Sequence, residues 1–167
     1  MIHLRRLEIK DAEGMHEWMN DSKVTEYFDL SETQKTMKSI QTFIKHCQIH
    51  QTSLHYAIVD ESDTYLGTIS LKNIHLKNKH AEYAIVLRKS AQGRGLGKQA
   101  SELLIDKAFH ELGLHKIYLN AITTNTIAIK LYEKLGFVRQ GSFKDHLYLQ
   151  GHYIDLYYYE LLLGESL

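Results

Sequence analysis

The segment that decides the fold runs from residue 82 to residue 98 and reads EYAIVLRKSAQGRGLGK. It begins with an apolar run that predicts a strand, and three glycines within residues 93–97 then form a loop that opens a helix. Glycine tolerates positive φ and lets a ligand approach the backbone, and the first amides of a helix favour an anion. The segment therefore indicates a phosphate site, with Arg94 and Lys98 as further cations. The alternative is a turn that only joins strand to helix.

Two well-known phosphate loops do not fit this stretch. A Walker loop has glycine, four residues and then Gly-Lys-Ser/Thr, and here Gln92 and Gln99 stand at its two ends. A dinucleotide fingerprint needs Gly-x-Gly-x-x-Gly, whereas the spacing here is Gly93-x-Gly95-x-Gly97 and the next predicted strand ends without an acid. The sequence therefore argues against both of these nucleotide-binding classes.

A second segment, residues 120–137, reads NAITTNTIAIKLYEKLGF. Asn125 stands where a helix N-cap belongs, and Ala128 and Tyr132 share a helix face with that cap. A small residue one turn before a phenol makes a face against which a long, flat ligand could lie. The alternative is a surface helix whose tyrosine hydroxyl is in water. We expect the core side of this helix to carry Ile127, Leu131 and Leu135.

Around these two segments the hydrophobic pattern predicts alternating strands and helices. The predicted strands cover residues 3–9, 54–60, 65–71, 82–87, 116–122, 137–149 and 152–163. The predicted helices cover residues 11–19, a segment capped by Ser31 that reaches Cys47, a segment from the glycine loop to Leu112, and residues 126–135. This order predicts one α+β domain over residues 1–167, with three layers (α/β/α) built on one sheet.

The composition excludes several classes of protein. The 167 residues carry 20 basic and 20 acidic side chains, a balance that argues against nucleic-acid binding by bulk charge. The single cysteine, Cys47, excludes a scaffold held by internal disulfides. The N-terminus lacks a signal-peptide pattern, and no apolar run reaches the roughly 18–20 residues of a membrane span. We therefore expect a cytoplasmic protein with no membrane and no nucleic-acid partner.

Together, the two segments resemble the GNAT superfamily of acetyl-CoA-dependent N-acetyltransferases. The family loop Gln/Arg-x-x-Gly-x-Gly/Ala is matched by Gln92, Gly95 and Gly97. The later family pattern, Asn-x-x-Ala-x-x-Leu/Phe-Tyr-x-x-x-Gly-Phe, is matched by Asn125, Ala128, Leu131, Tyr132, Gly136 and Phe137. The resemblance implies an acyl-CoA N-acyltransferase fold with a mixed central sheet of about six to seven strands and about four helices. It also implies acetyl-CoA as cosubstrate.

The resemblance further implies where acetyl-CoA would bind. Its phosphates would lie on the loop, which consists of Gln92, Gly93, Arg94, Gly95, Leu96, Gly97 and Lys98. The pantetheine arm would pair with the strand at Ile85, Val86 and Leu87, and one N–H there would polarise the thioester carbonyl. The far side of the arm would be flanked by Asn125, Ala128 and Tyr132.

Direct acetyl transfer to an amine needs no enzyme nucleophile, but it needs two proton transfers. An amine with a pKa near that of lysine, about 10.4, must lose a proton, and Glu82 is the candidate base, directly or through a water. The alternatives are His146 or water as base, with Glu82 orienting the substrate or pairing with a cation. Tyr132 is the candidate acid for the thiolate, because a phenol pKa of about 10 is close to that of an alkyl thiol. We expect no metal site.

The acceptor pocket of this superfamily is formed by the N-terminal helices and the last strands. We expect the amine to be bound by Tyr27, Phe28, Asp29, Glu32, Glu82 and His146. The same segments carry the acids Glu26, Asp145 and Asp155, and acids along a groove suit a polycation. Ordinary surface charge is the alternative explanation of these acids.

Several acceptors fit the sequence pattern. It is similar to spermidine N-acetyltransferases, to enzymes that acetylate the N-termini of ribosomal proteins, and to amino-sugar acetyltransferases. We predict a small amine or polyamine acceptor, with the other two as alternatives. A CoA-binding sensor without catalysis is the alternative from another class. The tyrosines of the last strand favour a homodimer, although burial in the core explains them equally well.

Overall fold

The computed structural model describes residues 1–164. The strands are β1 (His3–Arg6), β2 (Leu54–Val59), β3 (Tyr65–His75), β4 (His80–Leu87), β5 (Lys116–Ile122), β6 (Val138–Leu149) and β7 (His152–Leu162). The α-helices are α1 (Ala12–Met19), α2 (Met37–Ile49), α3 (Leu96–Asp106) and α4 (Thr126–Lys134). This confirms the predicted mixed sheet with about four helices. Within residues 1–164 no helix has the length and apolar character needed to cross a membrane.

The strands form one sheet in the order β1-β2-β3-β4-β5-β7-β6. Five neighbouring pairs are antiparallel, and only β4 and β5 run parallel, with α3 in the crossover between them. Their pairing is limited to His80–Lys116, Ala81–Ile117 and Glu82–Tyr118. Both strands continue beyond these pairs, so a wedge opens between residues 83–87 of β4 and residues 119–122 of β5. We call this wedge the strand gap.

Helices cover both faces of the sheet, as the three-layer prediction requires. One face packs on α3 and α4 through a core that includes the fully buried Leu104 and Tyr159. The other face packs on α1 and α2 through a second core that includes Met15 and Ile44. Because side chains alternate along a strand, a residue of β4 contributes to one core and its neighbour faces the other side.

The second helix begins later than the sequence predicts. Ser31 and Gln34 form reciprocal hydrogen bonds, in which the Ser31 N–H donates to Gln34 Oε1 at 2.8 Å and the Gln34 N–H donates to Ser31 Oγ at 3.3 Å. They close only a turn, because the cap of α2 is Thr36, whose Oγ1 accepts the N–H of Ser39 at 3.2 Å. Residues 20–36 therefore form a long connection, which we call the α1–α2 loop.

The first strand and the last turn of the third helical segment also differ from the prediction. The first strand is shorter because Ile9–Asp11 form a 3-10 turn, in which the buried Asp11 carboxylate accepts two hydrogen bonds from Arg5 at 2.8 and 2.9 Å. The segment after the glycine loop does end at Gly113, whose φ is 67°. Its last turn, Lys107–Glu111, is a π-helix rather than an α-helix.

His55 on β2 makes stability depend on pH. Its Nδ1 lies 2.7 Å from Ser70 Oγ, and its ring contacts Phe43 of α2 with centroids 5.0 Å apart. Burial lowers the pKa of His55 from 6.5 to about 4, and the charges of Lys72 and Arg6 act in the same direction. The unfolded chain therefore binds a proton between these values and the folded chain does not. The stabilisation is complete above pH 6.5 and is lost as the pH falls towards 4.

We expect His55→Gln to flatten this dependence, because glutamine keeps a hydrogen-bonding group and cannot take the proton. In the unsubstituted chain His55 contributes a slope of up to about 1.4 kcal/mol per pH unit to the free energy of unfolding. Urea denaturation at several pH values between 6.5 and 4 measures the slope. An identical slope in both proteins would show that His55 is not the titrating group.

Candidate active site

The glycine loop, residues 92–97, is attached to the end of β4. Gln92 Nε2 donates to the carbonyl oxygen of Leu87 at 3.1 Å. Gly93 and Gly95 both have φ of 73°, and no atom lies within 4 Å of the position that a Cβ would take at either residue. The loop backbone is therefore accessible where side chains would otherwise stand, as a ligand that approaches the main chain requires.

The loop leads directly into the N-terminus of α3, where Gly95 is the N-cap. The Gln99 N–H donates to the Gly95 carbonyl at 3.3 Å and starts the helical ladder. The amides of Leu96, Gly97 and Lys98 precede that bond and have no partner within the helix. Together with the helix dipole, these three donors make a seat for an anion.

The cations near this seat are only partly available. Lys98 Nζ forms a salt bridge of 3.1 Å with Glu102. Arg88 Nε donates a hydrogen bond of 3.0 Å to the carboxylate of Glu17. Arg94 is exposed and forms no salt bridge within 4 Å among residues 1–164, although it lies near enough to Asp60 for their charges to interact. The anion seat therefore consists of backbone amides supplemented by Arg94, with Lys98 contributing its amide.

The strand gap exposes backbone groups of β4. The Arg88 N–H donates to the carbonyl of Leu66 on β3 at 3.0 Å. Because amides alternate in direction along a strand, the Val86 amide also points to β3, and the amides of Ile85 and Leu87 point into the gap. No strand of the described chain pairs with β4 there. Of the three residues predicted to pair with the pantetheine arm, Ile85 and Leu87 therefore direct their amides into the gap, and Val86 does not.

Tyr132 is carried to the gap by α4. The Asn125 side chain caps this helix as predicted, since its Oδ1 accepts the Ala128 N–H at 3.4 Å. One turn later, the Tyr132 ring packs edge-on against Tyr83 of β4, with centroids 5.8 Å apart, and against Phe137 at 6.1 Å. The helix thus brings the phenol of Tyr132 to the face of β4 that looks towards α3 and α4.

The Tyr132 hydroxyl is free to donate a hydrogen bond. Within residues 1–164 it has no hydrogen-bond partner, whereas the hydroxyls of the buried Tyr65, Tyr83 and Tyr159 all do. Burial raises the pKa of Tyr132 to about 12, above the value of about 10 on which the near match with a thiol rests. A thiolate in the same apolar surroundings has its pKa raised by the same desolvation. Tyr132 therefore stays protonated throughout the neutral range.

One part of the α4 prediction is wrong. Leu135 is buried and Leu131 packs against the core, but Ile127 is 84% exposed. At about 100° per residue, Ile127 lies at the edge of the face that Leu131 and Leu135 define. Ile129 packs against the core instead.

Glu82 lies on the other face of the sheet, because its neighbour Tyr83 faces α3 and α4. Its carboxylate pairs with Lys72 Nζ at 3.5 Å and accepts a hydrogen bond from Asn73 Nδ2 at 3.1 Å. It stands at the closed end of the strand gap, about 13 Å along the strand direction from the level of Ile122. These contacts suit the ion-pair alternative, and the role of Glu82 as base stays a prediction.

A cleft of about 580 Å³ opens at the carboxyl end of β5, between the α1–α2 loop and the β6–β7 hairpin. The Tyr27 hydroxyl donates a hydrogen bond of 3.5 Å to the carbonyl oxygen of Thr124. This bond connects the α1–α2 loop to the end of β5. We call this cavity the acceptor cleft. Its lining consists of Glu26, Tyr27, Ile122, Thr123, Thr124, Asp145, Leu149, Gln150, His152, Tyr153, Ile154 and Asp155.

Three carboxylates give the acceptor cleft its charge. Glu26 comes from the loop, and Asp145 and Asp155 come from facing strands of the hairpin. Asp155 Oδ1 accepts the N–H of Asp145 at 2.7 Å, a bond that holds Asp145 at its unusual φ of 50°. No lysine or arginine of residues 1–164 pairs with any of the three. The cleft therefore carries negative charge that the described chain does not neutralise.

Only Tyr27 of the six predicted acceptor residues lines this cleft. The others, Phe28, Asp29, Glu32, Glu82 and His146, lie outside the lining. Phe28 packs against Trp18, with ring centroids 5.9 Å apart, and remains 37% exposed. Glu32 is 91% exposed and pairs with Lys35 at 3.0 Å, because the turn at Ser31 ends before the helix begins.

The β6–β7 hairpin supplies two acids of the cleft, Asp145 and Asp155, that were not among the predicted acceptor-binding residues. Gln150 and Gly151, with φ of 51° and 85°, form its turn. Asp145 lies five residues before Gln150, and Asp155 lies four residues after Gly151. The two acids meet because the register of β6 on β7 shifts between Phe143 and Leu147, and the sequence pattern does not show that shift. Tyr153 lines the cleft as well and was not among the expected acceptor residues.

Comparisons with known proteins agree with this architecture. Residues 2–138 match the family described as the acetyltransferase (GNAT) domain. The spermidine N(1)-acetyltransferase of Escherichia coli K12 is 30% identical over 152 residues, which cover 91% of this chain and 81% of the relative. The putative ribosomal N-acetyltransferase YdaF of Bacillus subtilis is 30% identical over 173 residues, which cover 98% of this chain and 92% of the relative.

A solved structure provides the same match in three dimensions. The spermidine N-acetyltransferase of Vibrio cholerae in complex with CoA and spermine superposes with a TM-score of 0.90 at 25% identity, over 98% of this chain and 96% of that one. The chain therefore belongs to the GNAT family and is an acetyl-CoA-dependent N-acetyltransferase.

Proposed function

We propose that the enzyme transfers the acetyl group to a primary amine of a polyamine bound in the acceptor cleft. The observation that carries this proposal is the set of three carboxylates, Glu26, Asp145 and Asp155, without cationic partners in the described chain. A polyamine is a flexible chain with several ammonium groups at neutral pH, so separate carboxylates along a cleft complement it. Tyr27 and Tyr153 add aromatic surface on which an ammonium group or a methylene chain can rest. The relatives named for spermidine support the same acceptor.

The proposed arrangement places the two substrates on different sides of the sheet. The phosphates of acetyl-CoA bind the amides of residues 96–98, and the arm enters the strand gap beside Ile85 and Leu87. An amide in the gap then polarises the thioester carbonyl as the amine attacks. Tyr132 donates its proton to the leaving sulfur on the α4 side, and Glu82 receives the amine proton through a chain of several waters on the opposite side.

The only cysteine plays no part in this scheme. Cys47 is buried on α2, in the layer opposite α4, and burial raises the pKa of its thiol. A thiol held in its protonated form is a poor nucleophile. This supports direct transfer in a ternary complex rather than an acetylated enzyme.

A panel of acceptors tests the proposal, with release of free CoA thiol as the readout. We expect turnover with spermidine and spermine, weaker turnover with short diamines, and none with peptide N-termini or amino sugars. Turnover confined to a peptide that begins like a ribosomal protein would favour the N-terminal acetyltransferase alternative. Turnover confined to amino sugars would favour the third acceptor class, and either result would overturn the polyamine proposal.

Asp155→Asn tests the acceptor cleft itself. An asparagine oxygen can still accept the Asp145 N–H, so the substitution removes the charge and keeps the turn. A charged hydrogen bond contributes about 1.5–3 kcal/mol, and we therefore expect the KM for spermidine to rise about tenfold or more with little change in kcat. Asp106→Asn, an exposed acid on α3 that does not line the cleft, is the matched control. Equal KM values for Asp155→Asn and the control would contradict the assignment.

Gly95→Ala tests the anion seat. The substitution forces alanine to a φ of 73° and places a methyl group where the phosphates would approach, so we expect acetyl-CoA to bind about tenfold or more weakly. Gly113→Ala imposes the same strain at the other end of this helical segment, at φ of 67° and also with no atom within 4 Å. Calorimetric titration with CoA compares the two variants. The same affinity in both would show that the loop does not contact the phosphates.

A further inference from the structure

Two buried hydroxyl groups connect the middle of β4 to the first turn of α3. Tyr83 is 3% exposed and Ser101 is fully buried. The Tyr83 Oη and Ser101 Oγ atoms lie 2.5 Å apart, and Ser101 Oγ donates to the carbonyl oxygen of Gly97 at 2.6 Å. Gly97 belongs to the anion seat, so the contact leads from the core of the protein to the cosubstrate site.

The direction of this hydrogen-bond chain is fixed by counting hydrogens. A serine hydroxyl has one hydrogen, and Ser101 gives it to Gly97. Tyr83 must therefore be the donor to Ser101. Burial raises the pKa of Tyr83 well above its ordinary value, so its hydrogen is present at any working pH.

The chain ends on a peptide group that carries one of the free donors. The carbonyl of Gly97 and the N–H of Lys98 belong to the same peptide unit. A hydrogen bond accepted by a carbonyl polarises the peptide and makes its N–H a stronger donor, and chains of such bonds reinforce one another in a low dielectric. The Lys98 N–H is one of the three amides of the anion seat without a partner in the helix.

We propose that Tyr83 and Ser101 are positioning residues for the cosubstrate: they fix and polarise the Gly97–Lys98 peptide so that its N–H binds the phosphates of acetyl-CoA. This inference rests on the proposed placement of those phosphates at α3. The ring of Tyr83 also contacts the ring of Tyr132 at 5.8 Å, so one side chain supports both the anion seat and the phenol. The hydroxyl and the ring therefore have separate tasks.

Three variants of the full chain separate the hydroxyl chain from simple packing. Tyr83→Phe keeps the ring and removes the first donor, and Ser101→Ala removes the donor to Gly97. Ser101→Cys fills the site with a slightly larger side chain of the same shape and a much weaker donor. Tyr65→Phe is the matched control, because Tyr65 is a buried, hydrogen-bonded tyrosine in the other core. Calorimetric titration with CoA, without acceptor, gives the affinities. Turnover with S-acetylpantetheine, which lacks the nucleotide and its phosphates, gives the comparison.

We expect Ser101→Ala and Ser101→Cys to weaken CoA binding about five- to tenfold and Tyr83→Phe about threefold, with Tyr65→Phe unchanged. The kcat/KM for S-acetylpantetheine should stay within about twofold in all four variants. The double variant Tyr83→Phe/Ser101→Ala should bind CoA no more weakly than Ser101→Ala alone, because the two residues act in series.

Three results would overturn the inference. They are unchanged CoA affinity in Ser101→Ala, restoration by Ser101→Cys as a pure packing role predicts, and an equal loss with S-acetylpantetheine. If the phosphates of CoA bind elsewhere than at α3, Gly95→Ala would also leave CoA affinity unchanged. That result would distinguish a wrong phosphate site from a wrong role for Tyr83 and Ser101. The acceptor proposal is tested by the amine panel and does not enter the CoA titrations.

Discussion

Tyr132→Phe is expected to lower kcat by about 100-fold or more, while the affinity for CoA changes by no more than about twofold. The substitution keeps the ring contacts with Tyr83 and Phe137 and removes only the hydroxyl. Without that proton, sulfur leaves as a bare thiolate in surroundings that disfavour charge, and the barrier to transfer rises. Steady-state turnover with saturating acetyl-CoA and spermidine measures the effect.

The control for this experiment is Tyr65→Phe. Burial raises the pKa of Tyr65 to about 12, as it does for Tyr132, but its hydroxyl bonds to Trp18 and Thr68 away from the strand gap. We expect near-normal turnover from this variant. Because the pKa of Tyr132 is about 12, kcat should show no alkaline decline from this group below about pH 11. Normal turnover in Tyr132→Phe would remove Tyr132 from the acid role.

Gly67→Ala is expected to damage both stability and turnover. A Cβ at Gly67 would overlap the carbonyl oxygen of Val86 and lie 3.0 Å from the Cα of Leu87, so β4 would have to move away from β3. Overpacking of this kind costs about 1–3 kcal/mol or more in the free energy of unfolding. The displaced segment is also the strand that borders the gap, and a misplacement of about 1 Å can cost about 100-fold in rate.

Gly141→Ala provides the matched comparison for that variant. Gly141 also lies in a strand, β6, and no atom lies within 4 Å of the position of its Cβ. We expect its thermal midpoint and its turnover to remain close to those of the unsubstituted enzyme. Thermal denaturation and kcat are measured for both variants. A Gly67→Ala enzyme that matches Gly141→Ala in both would show that β4 tolerates the shift.

The sequence was most informative where a backbone geometry depends on one residue type. Positive φ at Gly93 and Gly95 and the cap at Asn125 are local requirements, so the glycine loop and the start of α4 could be predicted. The difference between the predicted and observed starts of α2 shows the limit of such local signals. Ser31 formed its expected bonds with Gln34, yet the chain became helical only at Met37.

The acceptor cleft could not be predicted in the same way. Its lining depends on the path of the α1–α2 loop and on the pairing of β6 with β7, whose register shifts between Phe143 and Leu147. His146 lies within that irregularity, and its ring contacts the ring of Phe143 on the exposed strand β6, with centroids 5.0 Å apart. The raised pKa of Tyr132 likewise depends on packing that no local pattern encodes.

The tyrosines of β7 are partly accounted for by the fold. Tyr159 is fully buried and donates to Glu133, and Tyr157 packs against the same core. Tyr158 of β7 contacts Tyr118 of the neighbouring strand β5, with ring centroids 5.9 Å apart. Burial thus explains part of the tyrosine content, and the homodimer stays a prediction.

The early end of the pairing between β4 and β5 has a kinetic consequence. In the proposed arrangement, acetyl-CoA and the amine reach the strand gap from opposite faces of the sheet, so neither has to leave before the other can bind. The acetylated product and CoA can then depart independently, from opposite faces. Product inhibition should reflect this separation, because CoA competes with acetyl-CoA for one entrance and leaves the amine entrance free.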